Sequence, residues 1–275
     1  MANILPLEKQ ARVVHSLVEG SSILAIERMT GIHQETIMRL GIRVGEACAA
    51  YMDSTLRNLS CERIQVDEIW GFIGKKQKNL RRGDRAKGFG DAYTFIALDP
   101  DSKLVASHLV GKRDMYHARM FMEDLAPRLT NRVQLSSDGL DAYPEAVERG
   151  FGSEIDYGQI VKTYASPEIA EQRRYSPPEV VSVNKTVVAG NPIPRDICTS
   201  HIEKQNHTLR MHCRRLTRLT NAFSKKLENF KAAVALNFAY YNFVKTHGAI
   251  RCTPAMAAGV LPSALTVANL VEMAR

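Results

Sequence analysis

Between residues 62 and 165 two hydrophobic periodicities alternate along the chain, and the order of that alternation leaves few folds open. The run ERIQVDEIWGFIG reads as a strand rich in β-branched and aromatic residues. A strongly basic stretch, KKQKNLRRGDRAKG, follows it. AYTFIALDPDSKLVASHLV then reads as two strands joined by a turn at Asp99-Pro100-Asp101-Ser102. MYHARMFMEDLAPRL has Met115, Met122 and Leu125 at helical spacing. RVQLSSDG is a short strand ending in Asp-Gly, AYPEAVERGF a helix, and IDYGQIVKTYA a fifth strand. The order β-β-β-α-β-α-β predicts a hairpin-linked sheet extended by parallel strands. The fold class is therefore α/β, with a mixed five-stranded sheet and flanking helices.

The residues before this region read as helix throughout. Leu7, Ala11, Val14 and Leu17 fall on one helical face. Ser22 is suited to cap a short helix and Gly31 to make the turn after it, with a second helix starting near Gln34 and turning Ile37 and Leu40 inward. A short helix, a glycine turn and a second helix make a helix-turn-helix. Its second helix would present His33, Gln34, Thr36 and Arg39 to base edges or phosphates in a major groove. Glu27 stands where a small residue usually lets the two helices approach, and an ordinary helical hairpin is the competing reading. Residues up to Leu59 read as one long helix. Downstream, Pro167, Pro177, Pro178, Pro192 and Pro194 mark residues 166–198 as loop-rich, with room for a small hairpin in VVSVNKTVV. Helix returns from Ser200 and again over LENFKAAVALNFAYYNFVKTH. The expected division is a helical helix-turn-helix domain at 1–59, an α/β domain at 60–262 with a Pro-rich insertion near 166–198, and a tail at 263–275.

Charge narrows the class of partner. Lys and Arg number 37 against 29 Asp and Glu, a net charge of +8, which favours a polyanion, with nucleic acid foremost. An apolar fraction of 45% is that of a globular chain. No apolar run approaches the roughly 18 residues of a membrane helix, and MANILPLEKQ lacks the basic-then-apolar order of a secretion signal. The five cysteines include no Cys-x-x-Cys pair, so no disulfide framework and no zinc are expected, and a reducing cytoplasm fits.

Three carboxylates stand out by position. Asp67 lies inside the first strand, where a charge needs a partner, either a Lys or Arg or a divalent cation. Asp138 ends the fourth strand in an Asp-Gly turn. Glu203 follows Ser200 in Ser-x-x-Glu, which is also a capping box. If the first strand is central and the fourth pairs with it in parallel, Asp67 and Asp138 become neighbours, and a helix packed on the sheet can bring Glu203 to them. Carboxylates so gathered suit Mg²⁺ or Mn²⁺, and two such ions serve phosphodiester chemistry. On the helix itself, Glu203, His207, Arg210, Arg214 and Arg218 recur at steps of three and four, a stripe suited to phosphates or to solvent. Ile202, Leu209, Cys213 and Leu216 form an adjacent apolar face.

IQVDEIWGFIGKKQKN, LSSDG and SHIEKQNHTLRMHCRRLTRLTNAFSKK, with the later YYNFVKTHGAIRCTPAMAAGV, resemble the DDE transposases of bacterial insertion sequences, nearest to the family of insertion sequence one. The likeness covers about residues 60–260. It implies a ribonuclease H-like catalytic domain in which Asp67, Asp138 and Glu203 are the catalytic and metal-binding triad holding two Mg²⁺ or Mn²⁺ ions. Water would cut the element end, and the freed 3′-hydroxyl would attack target DNA. Double-stranded DNA, both terminal inverted repeat and target, is the implied partner, with a homodimer or larger assembly on it and a nucleoid-associated place in the cytoplasm. Lys75, Lys76, Asn206, His207, Arg210, Arg214, Arg215 and Arg218 are the expected DNA contacts, beside those on the helix-turn-helix. Members of that family often carry a zinc-binding segment ahead of the helix-turn-helix. This chain has no suitable cysteine set, so end recognition is expected to rest on residues 7–58. A non-catalytic repressor derived from a transposase and a nuclease that does not join strands are the alternatives.

Overall fold

The computed structural model describes residues 4–165, 180–218 and 220–275; residues 166–179 of the expected Pro-rich insertion lie outside the described residues. Leu7–Val18 (α1), Ile23–Thr30 (α2) and Gln34–Thr55 (α3) open the chain. The inward face of α1 is Gln10, Val13, Val14 and Val18, rotated from the expected one so that Leu7, Ala11 and Leu17 are only half-buried. Ser22 caps α2 by accepting from the Ala25 amide, and Gly31 ends it in the left-handed conformation, φ +68°. Glu27 does not hold α2 and α3 apart. Its carboxylate turns along the connection and accepts from the Gln34 amide at 3.0 Å, capping α3. That helix stops at Thr55, short of Leu59.

The sheet has Arg63–Ile73 (β1), Gly90–Leu98 (β2), Val105–Gly111 (β3), Val133–Ser137 (β4), Ile155–Tyr164 (β5) and Val180–Ala189 (β6) in the order β3-β2-β1-β4-β5-β6. Among the described residues six strands stand where the periodicity predicts five. VVSVNKTVV is not a hairpin of its own but one strand, antiparallel to β5 and exposed along nearly all its length. β1 is central, antiparallel to β2 and parallel to β4, as the crossover order requires. Met115–Leu125 (α4) and Tyr143–Phe151 (α5) make the two crossovers and pack on each other. The architecture is a mixed α/β sheet flanked by helices, compatible with a ribonuclease H-like fold.

Ser200–His212 (α6) packs on β1 through Ile202 and Leu209. Leu227–Ala239 (α7) runs into a π-helical turn at Tyr240–Val244, whose Asn242 pairs both backbone groups of Val105 at 3.0 and 2.9 Å. Pro254–Ala257 (α8) and Val267–Glu272 (α9) close the chain, and α9 packs on α1 through buried Leu270 and Val271. The 22-residue α3, about 33 Å long, lies along α7. Their crossing depends on Gly45: a Cβ there would stand 2.2 Å from the Ala232 carbonyl oxygen. Buried Arg128 ties the end of α3 to the sheet layer, donating to Asp53 and Asp124 at 2.7 Å and to the Leu56 carbonyl at 3.1 Å. One apolar core runs from Val14 through Phe95 to Phe243. Among the described residues no helix is long and apolar enough to cross a membrane.

Candidate metal and phosphodiester site

Strand lengths place the site. β1 and β4 pair in parallel up to Val66 opposite Ser137; β4 then ends, while β1 continues to Ile73. One ladder step past the last pair, Asp67 and Asp138 stand beside each other. Asp138 turns away from the sheet in a tight loop, its Oδ1 accepting from the Leu140 amide at 3.1 Å, while its carbonyl accepts from Ser137 and Gln159. Asp67 accepts from the Glu68 amide at 2.8 Å and from the Asn206 side-chain amide at 2.7 Å.

Glu68 joins them. One carboxylate oxygen from each of Asp67, Glu68 and Asp138 lies within 4.8 Å of the others. Strand alternation sends Glu68 to the opposite face from Asp67, where it accepts from Tyr143 at 2.9 Å and pairs with Arg113. With no β4 residue filling the space beside it, the two faces communicate around the open edge. Arg113 also stands 3.9 Å from Asp138.

The first turn of α6 is pinned to β1 by Gln65, two residues before Asp67 on the same face. Its Oε1 accepts from the His201 and Ile202 amides at 3.0 and 3.1 Å. Glu203 consequently faces the cleft but does not form the capping box that Ser-x-x-Glu suggests. The helix starts one residue earlier than that motif requires: Thr199, not Ser200, is the N-cap. The Glu203 carboxylate accepts from the Thr199 hydroxyl at 2.7 Å and pairs with Lys162 on β5. Asp67, Asp138, Glu203, Arg113, Lys162 and Thr199 line one cleft of about 410 Å³.

Among the described residues four carboxylates here face two cations, Arg113 and Lys162. Burial, then the charges of Glu68 and Asp138, pushes the Asp67 carboxyl up to about 7, against the pull of the Glu68 amide. Burial raises Asp138 as well, opposed by the Leu140 amide and Arg113. Glu68 is raised by burial and by Asp138, opposed by Arg113 and Tyr143. Such a set, all hard oxygen donors with excess negative charge, fits Mg²⁺ or Mn²⁺ and not a soft metal.

The expected DNA contacts divide. His33, Gln34, Thr36 and Arg39 are exposed at the start of α3, where His33 is the N-cap and Arg39 pairs with Glu35. His207 and Arg218 are exposed. Lys75 is paired with Asp84, and Lys76 lies over Trp70 and Phe72. The continuous basic stripe is not present: α6 ends at His212, Cys213 adopts an extended conformation, and a 3₁₀ turn follows at Arg214–Leu216. Arg210 donates to the Trp70 and Leu216 carbonyls, Arg215 to that of Ala222, and the Nε of Arg214 is enclosed. The apolar set holds, since Ile202, Leu209, Cys213 and Leu216 are all buried. Asn206 belongs to the acidic cluster itself. Periodicity missed Glu68, Arg113 and Lys162; only the adjacency of Glu68 to Asp67 signalled one of them.

No protein-family model matches this chain, and no curated protein matches it.

Proposed function

We propose that this chain is a DDE-type transposase that cuts the ends of an insertion sequence and joins the 3′ ends to target DNA. One observation carries the reading: Asp67, Glu68 and Asp138 converge where β4 stops, with Glu203 on the same cleft from α6. Asp67, Asp138 and Glu203 would hold two Mg²⁺ or Mn²⁺ ions, with Glu68 as a further oxygen donor; no zinc is called for. When bound, such ions activate the attacking oxygen and offset charge on the leaving one.

The chain's own residues prepare the cleft. Asn206 fixes the rotamer of Asp67 through its amide, and Gln65 fixes the height of α6 and so of Glu203. Arg113 holds Glu68 and stands at the cleft, where it can meet a phosphate oxygen. Lys162 holds Glu203 until other charge arrives. In this reading α2 and α3 form the helix-turn-helix, with His33, Gln34, Thr36 and Arg39 directed to the terminal repeat. Double-stranded DNA is the partner, and concerted cutting of two ends calls for a homodimer or larger assembly at the nucleoid.

Incubation with labelled element ends and Mg²⁺ tests the proposal. Nicked ends and joined products are expected from the native chain and neither from Asp67→Asn, Asp138→Asn or Glu203→Gln, all of which still bind the ends. Nicks without joining would make the chain a nuclease, and binding without nicks a repressor.

A further inference from the structure

Beyond the acidic cluster β1 carries a second group of residues that the cleft chemistry does not use. Trp70 and Phe72 follow Glu68 at two-residue steps on the same face of the strand, so the backbone at Trp70 is about 7 Å along the strand from that at Glu68. Both are half-buried only. Trp70 and Phe72 have ring centroids 5.6 Å apart, and Phe223, from the segment after α6, extends the row at 4.8 Å from Phe72. Lys76 stands over this row, 5.5 Å from the Trp70 ring and 5.8 Å from that of Phe72. Arg215 and Arg218 line the same cavity of about 650 Å³, and none of its described lining residues is acidic.

We propose that this cavity is a stacking subsite for an unpaired nucleobase of a single DNA strand whose adjoining phosphate lies at the acidic cluster. The proposal deepens the reading of that cluster as a phosphodiester site and rests on it for where the strand runs. An aromatic row open to solvent offers a base its π-face, and stacking of this kind is tolerant of sequence. The cations around it match the phosphates on either side of the base, and among the described residues Lys76 is held over the rings rather than by a carboxylate. Two residues of extended strand also match the span of about one extended nucleotide, so a base placed on Trp70 leaves its phosphate beside Glu68 and Asp67.

Trp70 is the chain's single tryptophan, so its emission reports on this site alone. The test titrates the full chain, in EDTA, with a (dT)₈ oligonucleotide and with an abasic oligonucleotide of equal length and charge, following Trp emission and, by anisotropy competition, binding. Saturable quenching by (dT)₈ is expected, with the abasic strand about tenfold weaker and not quenching. Phe223→Leu should weaken (dT)₈ about tenfold, and Lys76→Met, which leaves the packing in place, about threefold. The proposal is overturned if (dT)₈ does not bind, if it binds without quenching, if the abasic strand binds as tightly, or if Lys76→Met and Phe223→Leu both bind as the native chain does. Quenching without Mg²⁺-dependent cleavage in a parallel assay would refute the phosphodiester reading and keep the subsite as a single-strand binding site; cleavage without quenching would do the reverse.

Discussion

Replacing Asp67 by Asn should make the metal-free protein more stable while abolishing its proposed activity. Asp67 ionises in the folded state only near pH 7, against an ordinary value of 3.8, because it is buried beside Glu68 and Asp138. A carboxyl raised on folding carries more protons in the folded chain than in the unfolded one between those two values. Stability therefore falls as pH climbs from about 4 to about 7, then levels off. The gap between the folded and ordinary values corresponds to about 4 kcal/mol. Solvent access at a cleft residue and relaxation of the neighbouring carboxylates reduce this to about 2 kcal/mol. Asn cannot ionise, and it keeps an oxygen for the Glu68 or Asn206 amide. Its own amide then needs a new acceptor, at a cost of about 1 kcal/mol. The net gain from Asp67→Asn should be about 1 kcal/mol or more at pH 8 and smaller by roughly 1–2 kcal/mol at pH 5. Urea unfolding of both proteins in EDTA at the two pH values measures it. A mutational effect equal at pH 5 and pH 8, or a less stable variant at pH 8, would refute the account of Asp67 as a carboxyl raised by burial and by its acidic neighbours. In 10 mM Mg²⁺ the ordering should reverse, since a bound cation stabilises the native chain by mass action and the variant loses a ligand.

Gln65→Leu should remove no carboxylate and yet impair cleavage, because the two amides at the start of α6 lose their acceptor and Glu203 its fixed height; a thermal melt should show a loss of about 2 kcal/mol. Gly45→Val forces a Cβ against the Ala232 carbonyl and should cost about 3 kcal/mol or prevent folding, read by urea midpoint. Arg210→Ala should lower the melting temperature with an unchanged salt slope of DNA binding, since its guanidinium is engaged by carbonyls. Arg218→Ala, exposed, should reduce that slope by about one without affecting stability.

The sheet was legible because its information is periodic. Alternation in RIQVDEIWGFI and the strand–helix–strand order determine which strand is central, and a parallel β1–β4 pair then makes Asp67 and Asp138 neighbours by chain order alone. Ser22 and Gly31 act as their types predict, one as a side-chain cap and one at positive φ. What escaped prediction has different physics. Glu68 is assigned to the far face by alternation, and only the missing neighbour beyond Ser137 lets it reach the cluster. The arginine stripe relies on a helix continuing past His212, and the chain breaks at Cys213 with neither glycine nor proline to announce it. β6 hides among prolines, and its valines stand exposed on both faces, without the alternation that a half-buried strand shows. Glu27 is read as an obstacle when the position is assumed to need a small side chain, but its length lets it cap α3 instead.

Counted along the chain, Asp67 and Asp138 are far apart; counted in rungs of the ladder they are adjacent. Only the second count matters to the site. Residues added or removed in the loop between β1 and β2 leave the rung unchanged, so that loop can vary in length without separating the two carboxylates. A single residue inserted within β4 is a different event. It turns the carboxylate to the opposite face and moves it by about 3.3 Å. The short strand that ends at Ser137 acts as a ruler for the site, and its tolerance for error is less than one residue.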